Sequence, residues 1–150
     1  MPSFLLDTNV VSELRRARPN ANVMQWFDRH RTSEAYVSAL VIGEIRQGIE
    51  RLRERDPSRA KLLDLWLDGL ISLYDGRVLP VDAEVAQEWG RLSAQRRPVV
   101  DSLMAATAKV HGLTLVTRNV SDVAGLGVPV VDPFEAPTQP RRRGSRRSSQ

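Results

Sequence analysis

The sequence contains no cysteine, and only two of its 150 residues are histidines. The lack of cysteine excludes disulfide bonds, thiolate nucleophiles and zinc–thiolate sites. His111 lies in the last turn of a predicted helix, where it complements the helix dipole, and His30, between two arginines, is predicted to lie on the surface. The metal donors that remain are side-chain oxygens, which favour magnesium or manganese over zinc or copper.

Long apolar runs are also missing. No segment approaches the roughly 18 consecutive apolar residues of a membrane span, and the N-terminus lacks the charged lead and long apolar region of a secretory signal. We therefore expect a cytoplasmic protein with no membrane partner. A chain of 150 residues fits one domain, which is long enough to bury roughly two-thirds of its unfolded surface.

The motifs of several common enzyme classes are absent. The sequence has no G-x-x-x-x-G-K-[ST] phosphate loop, no G-x-S-x-G nucleophile turn and no G-x-G-x-x-G dinucleotide fingerprint. A phosphotransferase with an aspartyl nucleophile usually has a second acid two positions further on. Asn9 occupies that position after Asp7, so this chemistry is disfavoured.

The net charge of +4 is unevenly distributed along the chain. Five arginines and no acid lie within residues 137–150, so residues 1–136 carry a net charge of −1. This tail is rich in Pro, Arg and Ser and has no apolar periodicity, so we expect residues 137–150 to be disordered. Two interpretations of the basic tail remain open: non-specific attraction of RNA through counterion release, or a passive extension.

Strand-like and helix-like patterns alternate through residues 1–136, which we expect to form one domain. The predicted strands are residues 4–6, 36–38, 78–81, 113–117 and 128–131. The predicted helix boundaries are a cap at Thr8 or Asn9 with an end at Arg16, caps at Ser38 and Asp82, and a helix from Asp101 to Val110 that stops at Gly112. Strands separated by helices imply an α/β fold with a parallel sheet covered on both faces.

A leucine-rich segment lies in the middle of the chain. Its wide apolar face consists of Leu62, Leu63, Trp66, Leu67 and Leu70. Core packing is the commoner explanation of such a face, and an oligomer or partner surface is the alternative.

Four acidic residues lie in or after apolar runs. They are Asp7 after residues 4–6, Glu44 within residues 39–45, Asp101 after residues 98–100, and Asp122 after residues 115–121. A buried strand that ends on a carboxylate delivers it to the carboxyl edge of a parallel sheet, where open sheets bind ligands. Carboxylates are costly to bury alone, so several of them suggest one shared metal.

Each acid also has a purely structural interpretation. Asp7 and Asp101 are suited to cap the helices that follow them, and Glu44 to lie on a solvated helix face. Asp122 is suited to brace a turn with Ser121. The joint arrangement of strand ends and helix starts about one sheet edge favours a functional cluster over these separate roles.

A divalent cation explains such a cluster chemically. Four carboxylates in one pocket repel one another, and their pKa values rise unless a cation lies between them. Mg²⁺ uses few carboxylates and keeps several waters, which leaves room for a phosphate oxygen. The expected reaction is in-line attack of metal-activated water on a phosphodiester.

Four segments resemble the motifs of PIN-domain proteins, specifically the VapC and FitB toxin group. They are FLLDTNVVSEL at residues 4–14, VIGEIRQGI at 41–49, PVVDSLMAATA at 98–108 and HGLTLVTRNVSD at 111–122. The four segments occur in the family's order, and the resemblance covers about residues 3–135. The basic tail lies outside it.

The resemblance implies a three-layer α/β/α sandwich around a central parallel sheet. It also implies an Mg²⁺-dependent endoribonuclease, with Mn²⁺ as a substitute, that acts as the toxin of a type II toxin–antitoxin pair. A VapB-like antitoxin would neutralise it by threading a segment into the active site. The toxin would homodimerise, and promoter DNA would be bound only through the antitoxin complex.

The resemblance also suggests residue roles. Asp7 and Asp101 match the direct metal ligands, while Glu44 and Asp122 match the second and fourth acids, the fourth often acting through water. The matching polar supporting positions are Asn9, Thr117 and Asn119. The group often has Phe after the fourth acid, where this chain has Val123, a change that we expect to alter packing rather than chemistry.

The sequence leaves two alternatives to the ribonuclease toxin. One is a PIN-fold binding module that acts in antitoxin-coupled promoter regulation without catalysis. The presence of all four acids disfavours it, because a scaffold has no need of them. The other is a DNA nuclease with the same site, since metal-activated water attacks either nucleic acid.

Overall fold

The strands of the fold form one parallel sheet. The computed structural model describes residues 3–31 and 34–137. The strands within these ranges are β1 (Phe4–Leu6), β2 (Ala35–Ser38), β3 (Val78–Leu79), β4 (Thr114–Val116) and β5 (Val130–Val131). Their order is β3-β2-β1-β4-β5, and every neighbouring pair is parallel.

The central strand β1 is the most buried element of the sheet. Its three residues are all apolar and buried, as expected for a strand that is covered on both faces and paired on both edges. Leu5 lies opposite Tyr36 of β2 on one side and Leu115 of β4 on the other. After β1 the chain adds β2 and β3 on one side of it and then β4 and β5 on the other. The strand order therefore reverses between β1 and β4, and their carboxyl ends form a topological switch point.

Helices cover both faces of the sheet and complete a three-layer α/β/α sandwich. In the described residues they are α1 (Thr8–Leu14), α2 (Ala21–Arg29), α3 (Ala39–Arg53), α4 (Pro57–Leu73), α5 (Ala83–Leu92), α6 (Val99–His111) and α7 (Val120–Val123). The predicted caps at Ser38 and Asp82 are confirmed, because their side chains accept hydrogen bonds from backbone N–H groups in the first turns of α3 and α5. The predicted stop at Gly112 is also confirmed by its left-handed backbone, with a φ of 65°.

Helices α3 and α4 form a hairpin that is held by ion pairs. Arg46 and Arg53 of α3 donate to Oδ1 of Asp64 in α4, at 2.6 and 2.7 Å. The hydrogen bond from Arg53, followed by that from Arg46, holds the pKa of Asp64 below its ordinary value. The hairpin matters for the site because α3 carries Glu44.

Several predicted boundaries were wrong by a few residues. The cap of α1 is Asp7 rather than Thr8 or Asn9, because Asp7 Oδ1 accepts the Thr8 N–H, and α1 ends at Leu14. Strand β3 stops at Leu79, two residues before the predicted end, and Val81 beyond it is 40% exposed. The short helix α7 was not predicted.

Two further sequence interpretations are partly corrected. In the apolar face of α4, Leu67 and Leu70 are buried whereas Leu62 is 67% exposed, so only part of this face packs in the core. His30 was predicted to lie on the surface, but its ring stacks on Trp26 with centroids 4.4 Å apart and lies edge-on to Phe4. The flanking arginines suggested exposure, but the position of His30 one helical turn after Trp26 brings the two rings together.

The basic tail predicted for residues 137–150 falls outside the described residues, except for Pro137. Among the helices of the described residues, none has both the length and the apolar composition needed to cross a membrane.

Candidate active site

Asp7 lies at the switch point, directly after β1, and is 5% exposed. Its Oδ1 accepts a hydrogen bond from the Thr8 N–H at 2.7 Å. Its Oδ2 accepts one from Thr117 Oγ1 at 2.6 Å and a longer one from Asn9 Nδ2 at 3.3 Å. Asp7 is thus both the cap of α1 and a rigidly oriented carboxylate at the sheet edge, and the two interpretations of this residue are compatible.

Glu44 reaches the same region from α3. Its Oε1 accepts a hydrogen bond from Thr8 Oγ1 at 2.7 Å, and the residue is half-buried. The interpretation of Glu44 as a solvated face residue is therefore wrong, because its carboxylate is tied to the residue that follows Asp7.

Asp101 lies in the first turn of α6, whose cap is Pro98. Asp101 is therefore not the cap of this helix, as one interpretation had it. Burial raises the pKa of Asp101 most, followed by the negative charges of Asp7 and Asp122; the side chain of Asn119 opposes the shift, and Glu44 adds the smallest contribution. These mutual effects show that the carboxylates converge on one region.

One cavity of about 360 Å³ joins three of the four acids. It is lined by Asp7, Thr8, Asn9, Glu44, Val100, Asp101 and Asn119. The three carboxylates come from separate elements, namely the end of β1, the middle of α3 and the start of α6. This cavity, termed the acid cavity, is the place where the predicted site residues meet.

Asp122 stands at the margin of this arrangement. It lies on the short helix α7, is partly exposed, and does not line the acid cavity. Its carboxylate is near enough to raise the pKa of Asp101. The structure therefore places Asp122 beside the cavity rather than in its wall.

The three predicted supporting residues connect the end of β4 to Asp7. Thr117 Oγ1, which donates to Asp7, also accepts the N–H of Asn119 at 3.0 Å. Asn9 Oδ1 accepts the backbone N–H of Arg118 at 3.3 Å. Thr117 is 1% exposed, so these bonds hold Asp7 inside a buried polar network whose geometry is strongly determined.

Sequence reasoning overlooked Thr8 as a site residue and considered it only as a helix cap. Its hydroxyl joins Glu44 to the segment that carries Asp7. The sequence feature that could have indicated this role is a hydroxyl residue immediately after the acid. That hydroxyl was interpreted only as a helix cap.

The donor set of the acid cavity fits a hard divalent cation. Its ionisable ligands are carboxylates, and Asp7 Oδ1 keeps a lone pair beyond the one bonded to the Thr8 N–H. Within residues 3–31 and 34–137, no three acids or histidines are close enough to form a ready-made direct ligand set. This spacing fits an ion held by one or two carboxylates, with water in its other positions.

Comparison with known proteins agrees with this fold. The model of the PIN domain family matches residues 4–121. The VapC ribonuclease Y4jK of Sinorhizobium fredii is 32% identical over 139 residues, which span 88% of this chain and 98% of the relative. The toxin FitB of Neisseria gonorrhoeae is 32% identical over 137 residues, spanning 87% and 98% of the two chains.

The same family relationship is found among solved structures. A chain in the structure of FitAB bound to an IR36 DNA fragment superposes with a TM-score of 0.80 at 30% identity, covering 90% of this chain and 98% of that one. This chain belongs to the PIN domain family. The predicted resemblance to PIN-domain proteins is thereby confirmed, as is the α/β fold.

Proposed function

We propose that this protein is a metal-dependent endoribonuclease that acts as the toxin of a type II toxin–antitoxin pair. The observation that carries the proposal is the convergence of Asp7, Glu44 and Asp101 from three elements on one cavity. The similarity to a VapC ribonuclease and to the toxin FitB supports the choice of RNA as substrate and of a toxin as the biological role.

Mg²⁺ is the proposed ion, with Mn²⁺ as a substitute, and Asp7 and Asp101 are its proposed direct ligands. Glu44 and Asp122 would act through water or at the margin of the site, which agrees with the position of Asp122 outside the cavity wall. When bound, the ion supplies an activated water and neutralises charge on the phosphate. The proposed ligand set is compatible with the preference of Mg²⁺ for one or two carboxylates and several waters.

The protein's own groups orient this machinery. Thr117 and Asn9 fix the carboxylate of Asp7 through hydrogen bonds to Oδ2, and Thr8 fixes that of Glu44. These hydrogen bonds orient both carboxylates in the wall of the acid cavity before a cation binds.

The proposed partners follow from the relatives. We propose a VapB-like antitoxin, a toxin homodimer, and contact with promoter DNA only through the antitoxin complex. The solved structure of FitAB bound to a DNA fragment supports the proposed contact with DNA through a two-component complex. Residues 1–136 are the proposed nuclease domain, with residues 137–150 as a basic tail.

The decisive experiment compares nucleic acids and metals on one preparation. Purified protein is incubated with single-stranded RNA and with DNA of the same sequence, in Mg²⁺, in Mn²⁺ and in EDTA. We expect cleavage of RNA only with a divalent ion, and recovery of activity when Mg²⁺ is added back after EDTA. Selective cleavage of the DNA would favour the DNA-nuclease alternative.

A site-directed control separates this enzyme from a contaminating nuclease. The Asp101→Asn protein, purified in the same way, should lose the cleavage. If neither protein cleaves any RNA while their complexes with the antitoxin still bind promoter DNA, the non-catalytic binding module replaces the enzyme.

A further inference from the structure

A second cavity of about 320 Å³ opens between α1, α3 and α4. Its wall contains three arginines and one tryptophan, namely Arg15, Arg55, Arg59 and Trp66. This cavity is termed the arginine pocket. This cavity shares Thr8 and Glu44 with the acid cavity. The two cavities therefore adjoin at Thr8 and Glu44, whose side chains are hydrogen-bonded to each other.

The arginines of the pocket carry positive charge that the described residues do not neutralise. All three are exposed, and none makes an ion pair with a residue in the described ranges. The nearby Arg46 and Arg53 differ, because both are bonded to Asp64. Since residues 1–136 have a net charge of −1, the pocket is a local feature and does not reflect a general excess of basic residues.

The aromatic residue of the pocket lies beside its cations. The guanidinium carbon of Arg15 is 6.0 Å from the centroid of a Trp66 ring, and Trp66 is half-buried. Cations flanking a flat apolar surface provide the two contacts that a nucleotide requires. Arginine binds phosphate, and aromatic or guanidinium planes stack on bases.

We propose that the arginine pocket binds one nucleotide of single-stranded RNA next to the bond that is cleaved, with its phosphate on the arginines and its base against Trp66. This inference rests on the proposed nuclease function. A substrate cut in the acid cavity must extend beyond the cut, and the shared Thr8 and Glu44 show that the pocket adjoins that cavity. The volume is at the lower end of the range of roughly 300–1,000 Å³ for small-ligand sites, which suits one nucleotide better than a folded segment.

An acidic peptide from a protein partner is the competing occupant. It would satisfy the arginines, but it would bring further carboxylates beside Glu44 and the other acids of the adjoining cavity. RNA phosphates beside those acids share the cation that the site is proposed to hold. The charge pattern therefore favours RNA, and the peptide is an outcome that the experiment must distinguish.

The first test measures binding of a fluorescently labelled single-stranded RNA of about ten nucleotides, a typical site size for single-strand binders. Anisotropy titrations in EDTA over a series of salt concentrations compare wild type with Arg55→Gln/Arg59→Gln. The matched control is Arg51→Gln/Lys61→Gln, which removes the same charge from exposed positions of α3 and α4 outside the pocket. We expect the pocket variant alone to bind more weakly, with a log–log salt slope shallower by about 1.4 for two lost phosphate contacts.

The second test detects stacking on Trp66. We expect the same RNA to quench tryptophan emission of the wild-type protein and the quenching to be largely lost in Trp66→Phe, which keeps an aromatic surface and therefore most of the affinity. Trp26, which is 5% exposed, and Trp89, whose Nε1 donates to Ser102, remain as internal references.

Three results would overturn the inference. The first is an equal loss of affinity in the pocket and control variants, and the second is unchanged quenching in Trp66→Phe. The third is normal RNA binding by the pocket variant together with loss of antitoxin capture, which would assign the pocket to a peptide. Failure of the proposed nuclease function gives a result different from these three. The wild-type protein would then bind RNA through the pocket but cleave none in Mg²⁺.

Discussion

Thr117 Oγ1 donates a 2.6 Å hydrogen bond to Asp7 Oδ2, and this buried bond joins the segments that follow the neighbouring strands β1 and β4. The residues are 110 positions apart in the sequence. The same hydroxyl accepts the N–H of Asn119, so one side chain links the first acid to the segment that leads to Asp122. The geometry of the acid cavity depends on this pair.

Replacement of Thr117 should therefore impair both stability and activity. Thr117→Val keeps the shape but removes the hydroxyl, which leaves Asp7 Oδ2 with only the longer bond from Asn9. We expect a loss of about 1–3 kcal/mol in the free energy of unfolding and of roughly 10- to 100-fold in activity. Denaturant titration and cleavage assays measure the two effects. Thr117→Ser, which retains the hydroxyl, should recover most of both, and equal defects in the two variants would argue against the hydrogen bond.

The proposed direct ligands should be essential for activity but not for folding. Asp7→Asn and Asp101→Asn are nearly isosteric, and each should reduce cleavage on the order of a hundredfold or more. Without metal, Asp101→Asn should raise the melting temperature, because it removes a partly buried charge that faces other carboxylates. Asp68→Asn, on the exposed face of α4, is the control for both measurements. Near-normal cleavage by both site variants would show that the site has been assigned wrongly.

The ion pairs of the α3–α4 hairpin predict a pH dependence. The pKa of Asp64 is lowered in the folded state, so its stabilising contribution is present above the unfolded value near 3.8 and is lost as pH falls through the lower folded value. Asp64→Asn should melt below wild type at pH 7, and the difference should shrink as the pH falls below about 4. Thermal melts across this range test the effect, with Asp68→Asn as the reference. A difference that is constant with pH would indicate a packing defect instead.

Two glycines should respond in opposite directions to the same substitution. Gly112 ends α6 with a φ of 65°, whereas Gly69 lies inside α4 with open space around its α-carbon. Gly112→Ala should destabilise the protein by about 1 kcal/mol, because alanine rarely adopts this backbone conformation. Gly69→Ala should stabilise it by about 0.5–1 kcal/mol through helix propensity. Chemical denaturation compares the two, and a shift of the same sign in both would contradict this assignment.

The sequence predicted the parallel sheet and the meeting of Asp7, Glu44 and Asp101 at its edge, for a physical reason. The strands β1 and β4 are short apolar runs followed by polar residues, and that pattern is local in the sequence. The parallel arrangement then brings their carboxyl ends together. The bond from Thr8 to Glu44 was not predictable in this way, because it depends on how α1 packs against α3.

The boundaries that were missed have related causes. Strand β3 pairs only with β2 at the edge of the sheet, so the apolar run that continues to Val81 has no second partner to extend it. Helix α7 has four residues, too few for a visible apolar period. Neither end was therefore visible in the apolar pattern of the sequence.

Mn²⁺ binding monitored by electron paramagnetic resonance tests, without relying on catalysis, whether acids from three elements bind one metal ion. Free Mn²⁺ is titrated into wild type, Asp7→Asn, Glu44→Gln and Asp101→Asn, with Asp68→Asn as control. We predict one class of site that is weakened in each of the three variants, most strongly in those of the two aspartates, and unchanged in the control. Wild-type affinity in all three variants would show that these acids do not hold the metal ion.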